Sequence, residues 1–225
     1  MQLTFFDLDN TLLAGDSDYE WGRYLVDEGL VDPVRYRQAN EYYRAQYEAG
    51  TLDIHDYQRF VIAPMIEHSA AYLAEVRRRF VAERIVPIIA PHTEAVLTFH
   101  RRRGDTIALI TATNAFITQP IAALLGIDHL IATEPALREG VYTGEIDGTP
   151  SYQEGKIVRA KAFIAERADR FEAVTFYSDS HNDLPLLRWS DYPVAVDPDA
   201  TLAAAAEQAG WPIISLRGAS APNGI

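Results

Sequence analysis

Leu3-Thr4-Phe5-Phe6-Asp7-Leu8-Asp9-Asn10-Thr11 is the stretch on which the fold turns. Leu3 to Phe6 is an apolar run too brief for a helix, and the acidic and turn-forming residues from Asp7 onward stop it. A short buried strand ending in two carboxylates is predicted. From Asp16 to about Arg84 the spacing becomes helical. Trp21, Tyr24, Leu25 and the Glu28-Gly29-Leu30 stop mark one helix. Pro33 starts a second, with Tyr36, Tyr43 and Tyr47 on one face, and Leu52 to Ile66 and Ala70 to Phe80 supply two more.

Beyond the proline-marked stretch Pro87 to Pro91, helices and short apolar strands alternate. Helices are predicted over His92 to Arg103, Phe116 to Leu125, Gly155 to Ala168 and Ala200 to Ala209. Strands are predicted over Thr106 to Ile110, His129 to Ala132, Ala173 to Tyr177, Tyr192 to Val196 and Ile213 to Leu216, with a small hairpin in Leu137 to Ile146. This order predicts an α/β fold: a doubly wound, Rossmann-like, mostly parallel sheet with helices on both faces and an all-helical insertion. The expected division is a core of residues 1–13 and 90–217, an insertion of residues 14–89, and a flexible tail over 218–225.

Composition narrows the chemistry. The 225 residues contain no cysteine, which excludes disulfides, thiolate metal sites and thiol nucleophiles. The 32 acids against 20 bases give a formal charge of −12, which opposes nucleic acid as a partner. No window approaches the roughly 20 apolar residues of a membrane span. The N-terminus has no basic leader or long apolar region, so a cytoplasmic protein without a membrane partner is expected. Only two of the 20 bases are lysines, Lys156 and Lys161.

In an open parallel sheet, ligands bind beyond the carboxyl ends of the strands. Here three predicted strands end in Asp7 and Asp9, in Thr111, and in Ser178-Asp179, while Lys156 sits in the first turn of a helix. Carboxylates packed together need a cation or must share protons. An oxygen-only set favours a hard ion such as Mg²⁺, and a nearby lysine and hydroxyl suit a phosphoryl group. The inferred substrate is a phosphate ester. Singly, each strand-end aspartate reads equally well as a turn or cap residue; their order and number point to chemistry.

Asp7-Leu8-Asp9-Asn10-Thr11, Thr111, Gly155-Lys156 and Ser178-Asp179-Ser180-His181-Asn182-Asp183-Leu184-Pro185-Leu186-Leu187 resemble the four ordered motifs of the haloacid dehalogenase superfamily, in its phosphoserine phosphatase-like branch. The helical insertion resembles that branch's cap. The resemblance implies a phosphatase in which Asp7 is the nucleophile, forming an aspartyl-phosphate, and Asp9 the general acid and base. It implies that Asp7, Asp179 and the main-chain carbonyl of Asp9 hold Mg²⁺, with Asp183 ordering the metal's waters. Thr111, the amide of Ala112, Lys156 and Asn182 would contact the phosphoryl group. A small phosphorylated metabolite follows as substrate, for instance an amino-alcohol phosphate such as phosphoserine or histidinol phosphate. A phosphotransferase or mutase, and a non-catalytic metabolite-binding module, are the alternatives. Ser178 departs from the glycine common at its position, as Ala112-Thr113 does from the small glycines usual after Thr111, and both crowd a loop.

In the insertion, Asp16 lies where this branch places an acid that meets a substrate amine, and it reads equally as a helix N-cap. Arg59 resembles a substrate-contacting arginine, but a solvated helix charge is the preferred reading; His181 is preferred as an exposed loop residue over one facing substrate. Thr11 reads as a turn hydroxyl. Eight of the twelve tyrosines fall in the insertion, which favours core packing over stacking on a ring-bearing substrate. Lys156 opposes its helix dipole, in a chain that otherwise uses arginine, which suggests a need for a point charge. The runs Arg77-Arg78-Arg79 and Arg101-Arg102-Arg103 sit toward helix ends, where cations are favoured, rather than forming nucleic-acid patches.

Overall fold

A computed structural model describes residues 1–167 and 170–222; Ala168 of the helix expected to end there, and residues 223–225 of the expected tail, lie outside the described residues. Seven strands form one sheet: β1 (Leu3–Phe6), β2 (Thr106–Asn114), β3 (His129–Arg138), β4 (Val141–Asp147), β5 (Val174–Ser178), β6 (Tyr192–Val196) and β7 (Ile213–Ile214). Their order is β4-β3-β2-β1-β5-β6-β7, with all neighbours parallel except the β3–β4 hairpin. Strand β1 is central, paired with β2 and β5, and buried along its whole length. That burial on both faces is why its sequence is an apolar run rather than an alternation. Its one polar side chain, Thr4, is satisfied by the His100 ring at 3.1 Å.

Four helices follow β1: α1 (Ser17–Asp27), α2 (Pro33–Glu48), α3 (Ile54–Ile66) and α4 (Ala70–Phe80). Asp16, Asp32, Asp53 and Ser69 cap them by accepting hydrogen bonds from first-turn amides. The chain leaves and re-enters the sheet region at one place, where Leu13 pairs with Ile89 and the Ala14 amide donates to the Ile88 carbonyl at 2.6 Å. The remaining helices are α5 (Thr93–Arg103), α6 (Ala115–Leu124), α7 (Glu154–Ala165), α8 (Leu184–Trp189) and α9 (Ala200–Ala209).

Val96, Leu97, Ile117 and Ile121 of α5 and α6 pack with Phe6 and Leu109 on one sheet face, in a cluster that continues into Trp21, Ile62, Val76 and Phe80 of the helical insertion. Ala160, Leu186, Leu187, Leu202 and Ala206 of α7, α8 and α9 cover the other face over Leu3, Phe5 and Phe176. The predicted doubly wound sheet with a helical cap is therefore present. Several boundaries differ. Strand β2 runs on to Asn114, which pairs with Thr133 past an irregularity in register. Strand β3 continues into the hairpin, and β7 stops early because the Leu216 amide turns to the Asp197 carboxylate at 3.0 Å. The six-residue α8 has no signal in the apolar spacing; it starts from the fourth motif with Pro185 in its first turn. Arg77, Arg78 and Arg79 in the last turn of α4 are engaged with the Phe116 carbonyl, Glu75 and Glu28. Among the described residues, no helix is long and apolar enough to cross a membrane.

Candidate active site

The Asp7 amide donates to the Tyr177 carbonyl at 2.9 Å, which fixes this residue at the carboxyl end of β1. A wide turn over Leu8–Leu12 follows, with Asn10 at φ 55° in the left-handed region that asparagine tolerates. Asp7 Oδ1 accepts from Lys156 Nζ at 2.8 Å, and the same ammonium donates to Asp183 Oδ2 at 2.7 Å. Asp9 accepts from the Ser17 amide at 2.6 Å and from the Thr113 hydroxyl at 2.8 Å. Asp179 accepts from the Thr11 hydroxyl at 2.9 Å. Asp7, Asp9, Thr111, Ala112 and Asp179 form one end of a cavity of about 640 Å³ whose opposite wall comes from the cap helices. Lys156, Asp183 and Asn182 are buried beside it, and the Lys156 ammonium bridges Asp7 of the lining to Asp183.

Local structure accounts for the lysine. The Lys156 side chain is 3% exposed, so its charge is usable only because Asp7 and Asp183 accept it. Gly155 lets the start of α7 approach closely: a Cβ there would lie 2.1 Å from the Pro150 carbonyl oxygen.

Burial dominates the electrostatics. It raises Asp7 to about 7, against the pull of Lys156, with Asp183 and Asp9 adding to the rise. Burial, then the charge of Asp16, raises Asp9 to about 6, opposed by Ser17 and Thr113. Asp179 is raised well above the carboxylate range by burial and then by Asp7. Burial works against the Lys156 charge, yet Asp183 and Asp7 outweigh it and hold the ammonium above its ordinary value.

Two anticipated residues stand elsewhere. The Asn182 side chain is not at the cavity: its amide donates to the Tyr47 carbonyl at 3.0 Å and its oxygen accepts from Tyr152 at 3.1 Å and Gln153 at 3.0 Å. It ties the end of α2 to the core. Arg59 is exposed and paired with Asp56 and Glu145, in line with the solvated reading. His181 does line the cavity, half-buried, with its Nδ1 2.8 Å from Asp199, and Gly50 at the end of α2 closes against its Nε2. Asp16 lines the cavity and caps α1 through the Asp18 and Tyr19 amides, both at 2.9 Å. The tyrosines divide: Tyr24 and Tyr36 are buried, while Tyr19, Tyr43, Tyr47 and Tyr57 line the cavity.

Three supporting residues went unrecognised in the sequence. Thr113 holds Asp9, and Ser178 donates to Asp183 at 2.6 Å. These are the same positions that depart from the glycine pattern, so each side chain that crowds a loop also supplies a donor. Thr113 had a signal: two residues after Thr111 along a strand, it belongs on the same face. Thr11, read as a turn hydroxyl, reaches Asp179 across 168 residues, which no local pattern announces.

The donors suit a hard cation. Among the described residues, no group of three or more His, Asp or Glu side chains could hold an ion alone. Two buried carboxylates, Asp7 and Asp179, share the cavity end, and the Asp7 charge raises the proton affinity of Asp179. Such a set fits Mg²⁺, which is usually bound through one or two carboxylates and keeps several waters.

Fold and site together define a capped α/β enzyme working with carboxylates and one lysine at the open end of a parallel sheet. The chain belongs to the haloacid dehalogenase-like hydrolases, whose family model matches residues 4–188. Within that family it is a phosphatase. It is 43% identical over 219 residues to a histidinol-phosphatase of Neisseria meningitidis serogroup C, covering 96% of this chain and 99% of that protein. A crystal structure of a Bordetella pertussis Tohama I protein of unknown function is similar at a TM-score of 0.90 and 40% identity, over 96% of this chain and 98% of the other. A phosphoserine phosphatase solved as a phospho-aspartyl intermediate analogue shares the fold at a TM-score of 0.67 and 17% identity, over 96% and 93% of the two chains.

Proposed function

We propose that this phosphatase hydrolyses a small phosphorylated metabolite in a Mg²⁺-dependent reaction through an aspartyl-phosphate on Asp7. The observation that carries the reading is the unlike partnering of two acids on one turn: Asp7 is held by Lys156, and Asp9 by the Ser17 amide and Thr113. Two carboxylates in different environments can take different roles. Asp7 attacks phosphorus while Lys156 fixes its Oδ1. Asp9, raised to about 6, protonates the departing alkoxide and then takes the proton of the water that attacks the phosphoenzyme. Thr111 and Lys156 stabilise the transferring phosphoryl oxygens. Mg²⁺, which Asp7, Asp179 and the Asp9 carbonyl would hold, would supply charge neutralisation there; Asp183 orients Lys156 and would also order the ion's waters.

The division proposed is a core of residues 1–13 and 90–217, a cap of residues 14–89 and a tail from 218, supported by the Leu13–Ile89 pairing at the crossing point. The 43% identical relative favours histidinol phosphate as the substrate. A phosphate-release screen over phosphorylated metabolites, with Mg²⁺ and with EDTA, tests the reading. Release only with the metal is expected. Release that persists in EDTA, or none from any ester, would overturn it.

A further inference from the structure

Residues 152–155 form the turn that leads into α7, with the Gly155 amide donating to the Tyr152 carbonyl at 2.8 Å. Its second residue, Gln153, has φ 47° and ψ −123°. That is the first central position of a type II′ turn, which glycine takes freely and a side chain strains. Such strain persists only where the surrounding structure holds it.

Here the side chain supplies the hold. Gln153 Nε2 donates to Asn182 Oδ1 at 3.0 Å, to the Tyr152 hydroxyl at 3.1 Å and to the Gly50 carbonyl at 3.4 Å. Asn182 extends the contact, its own amide donating to the Tyr47 carbonyl at 3.0 Å. The last carbonyls of a helix need donors from outside the regular ladder, and two core amides supply them at the end of α2. The cluster also meets Lys156 from two sides. The Lys156 amide donates to the Gln153 carbonyl at 3.0 Å, and Asp183, the residue after Asn182, accepts from Lys156 Nζ at 2.7 Å. The bond between Gln153 and Asn182 therefore joins the backbone that carries the lysine to the loop that holds its charge.

We propose that Gln153 is a positioning residue of the reaction: its amide locks the turn carrying Lys156 onto Asn182 and onto the end of α2, and the strained turn is what places the amide there. The inference rests on the phosphatase reading above, in which Lys156 serves the transferring phosphoryl group, and concerns a residue to which that reading gives no part. Glycine would relax the turn but lose all three donations.

The test measures kcat and KM for p-nitrophenyl phosphate and L-histidinol phosphate with Mg²⁺, and the thermal midpoint, in the wild type, Gln153→Gly, Gln153→Ala and Gln153→Met. All three variants should lose about tenfold in kcat on both esters with little change in KM, because the ammonium is misplaced whatever the leaving group. Gln153→Met, similar in length but without a donor, should be as slow as Gln153→Ala. Gln153→Gly should melt above Gln153→Ala, since only alanine keeps the strained backbone, yet be no more active. Its relaxed turn keeps the comparison with the wild type open even if Gln153→Ala fails to fold. A kcat in Gln153→Gly within about twofold of the wild type would overturn the inference. So would activity that follows the melting temperature, which would make the turn and not the amide decisive, or a loss confined to one ester, which would make Gln153 a substrate contact. Each of these results leaves the phosphatase reading intact, whereas a wild type silent on every ester overturns both.

Discussion

At the sheet edge, Asp7, Asp9, Asp179 and Asp183 each accept a hydrogen bond of 2.9 Å or shorter from a residue distant in sequence or across the motif. On the cap wall, Asp18 keeps an oxygen without a donor and Arg59 faces away. The two regions border the same cavity but stand at different stages of completion. The core groups are fixed before any substrate arrives, so no reorganisation is needed when charge develops. The cap wall is less fully paired.

Replacing core groups should therefore strike the rate, while replacing cap groups should strike the choice of substrate. The largest loss is expected for Asp7→Asn, with phosphate release falling by about 10⁴-fold or more and the circular dichroism unchanged. Measurable Mg²⁺-dependent turnover near the wild-type rate would erase the contrast. Lys156→Arg should cost about 10²–10³-fold in kcat despite conserving charge, because a planar fork cannot serve Asp7, Asp183 and a phosphoryl oxygen from one point. Thr113→Val should lower kcat by about tenfold by releasing one oxygen of Asp9, with little change in KM. Arg59→Ala should leave kcat/KM for every substrate as it was; a substrate-dependent change would put the arginine back in the cap's recognition surface.

A smaller effect concerns stability. His100 is buried between Tyr177, at 3.0 Å from Nε2, and Asp105 with Thr4, at 2.8 and 3.1 Å from Nδ1. Burial holds its pKa below the ordinary 6.5, although Asp105 pulls upward and Arg103 adds to the fall. Below pH 6.5 the unfolded chain therefore binds this proton more readily than the folded one. The stabilising contribution is complete above 6.5 and is lost as the pH falls toward the folded value. Urea midpoints across that range should fall with acid less steeply in His100→Asn than in the wild type.

The contrast between core and cap also explains what was legible in the sequence. Asp7, Asp9, Thr111 and Asp179 could be placed because strand ends are marked locally, by an apolar run meeting a polar stop, and parallel topology carries those ends to one edge. Lys156 was legible from its scarcity and its place against a helix dipole. Thr11 and Ser178 were not, because their meaning lies in partners reached only after the chain folds. The partners of Asn182 were hidden for a similar reason: its motif position points to the site, whereas Tyr47 of the cap and Tyr152 of the core reach its amide only in the folded chain. Asp18 has no motif at all, and only its burial against the cavity distinguishes it from the other acids of the cap.

The division of labour between Asp7 and Asp9 is tested most directly by mixing Asp9→Asn with excess p-nitrophenyl phosphate and Mg²⁺ in a stopped-flow spectrometer. The phenolate leaves without needing a proton, so transfer to Asp7 should proceed while hydrolysis of the phosphoenzyme stalls. The account predicts one burst of p-nitrophenolate stoichiometric with enzyme, followed by near-silence, and phosphate recovered on the peptide that contains Asp7. Steady release at the wild-type rate with no burst, and no phosphorylated Asp7 peptide, would contradict it.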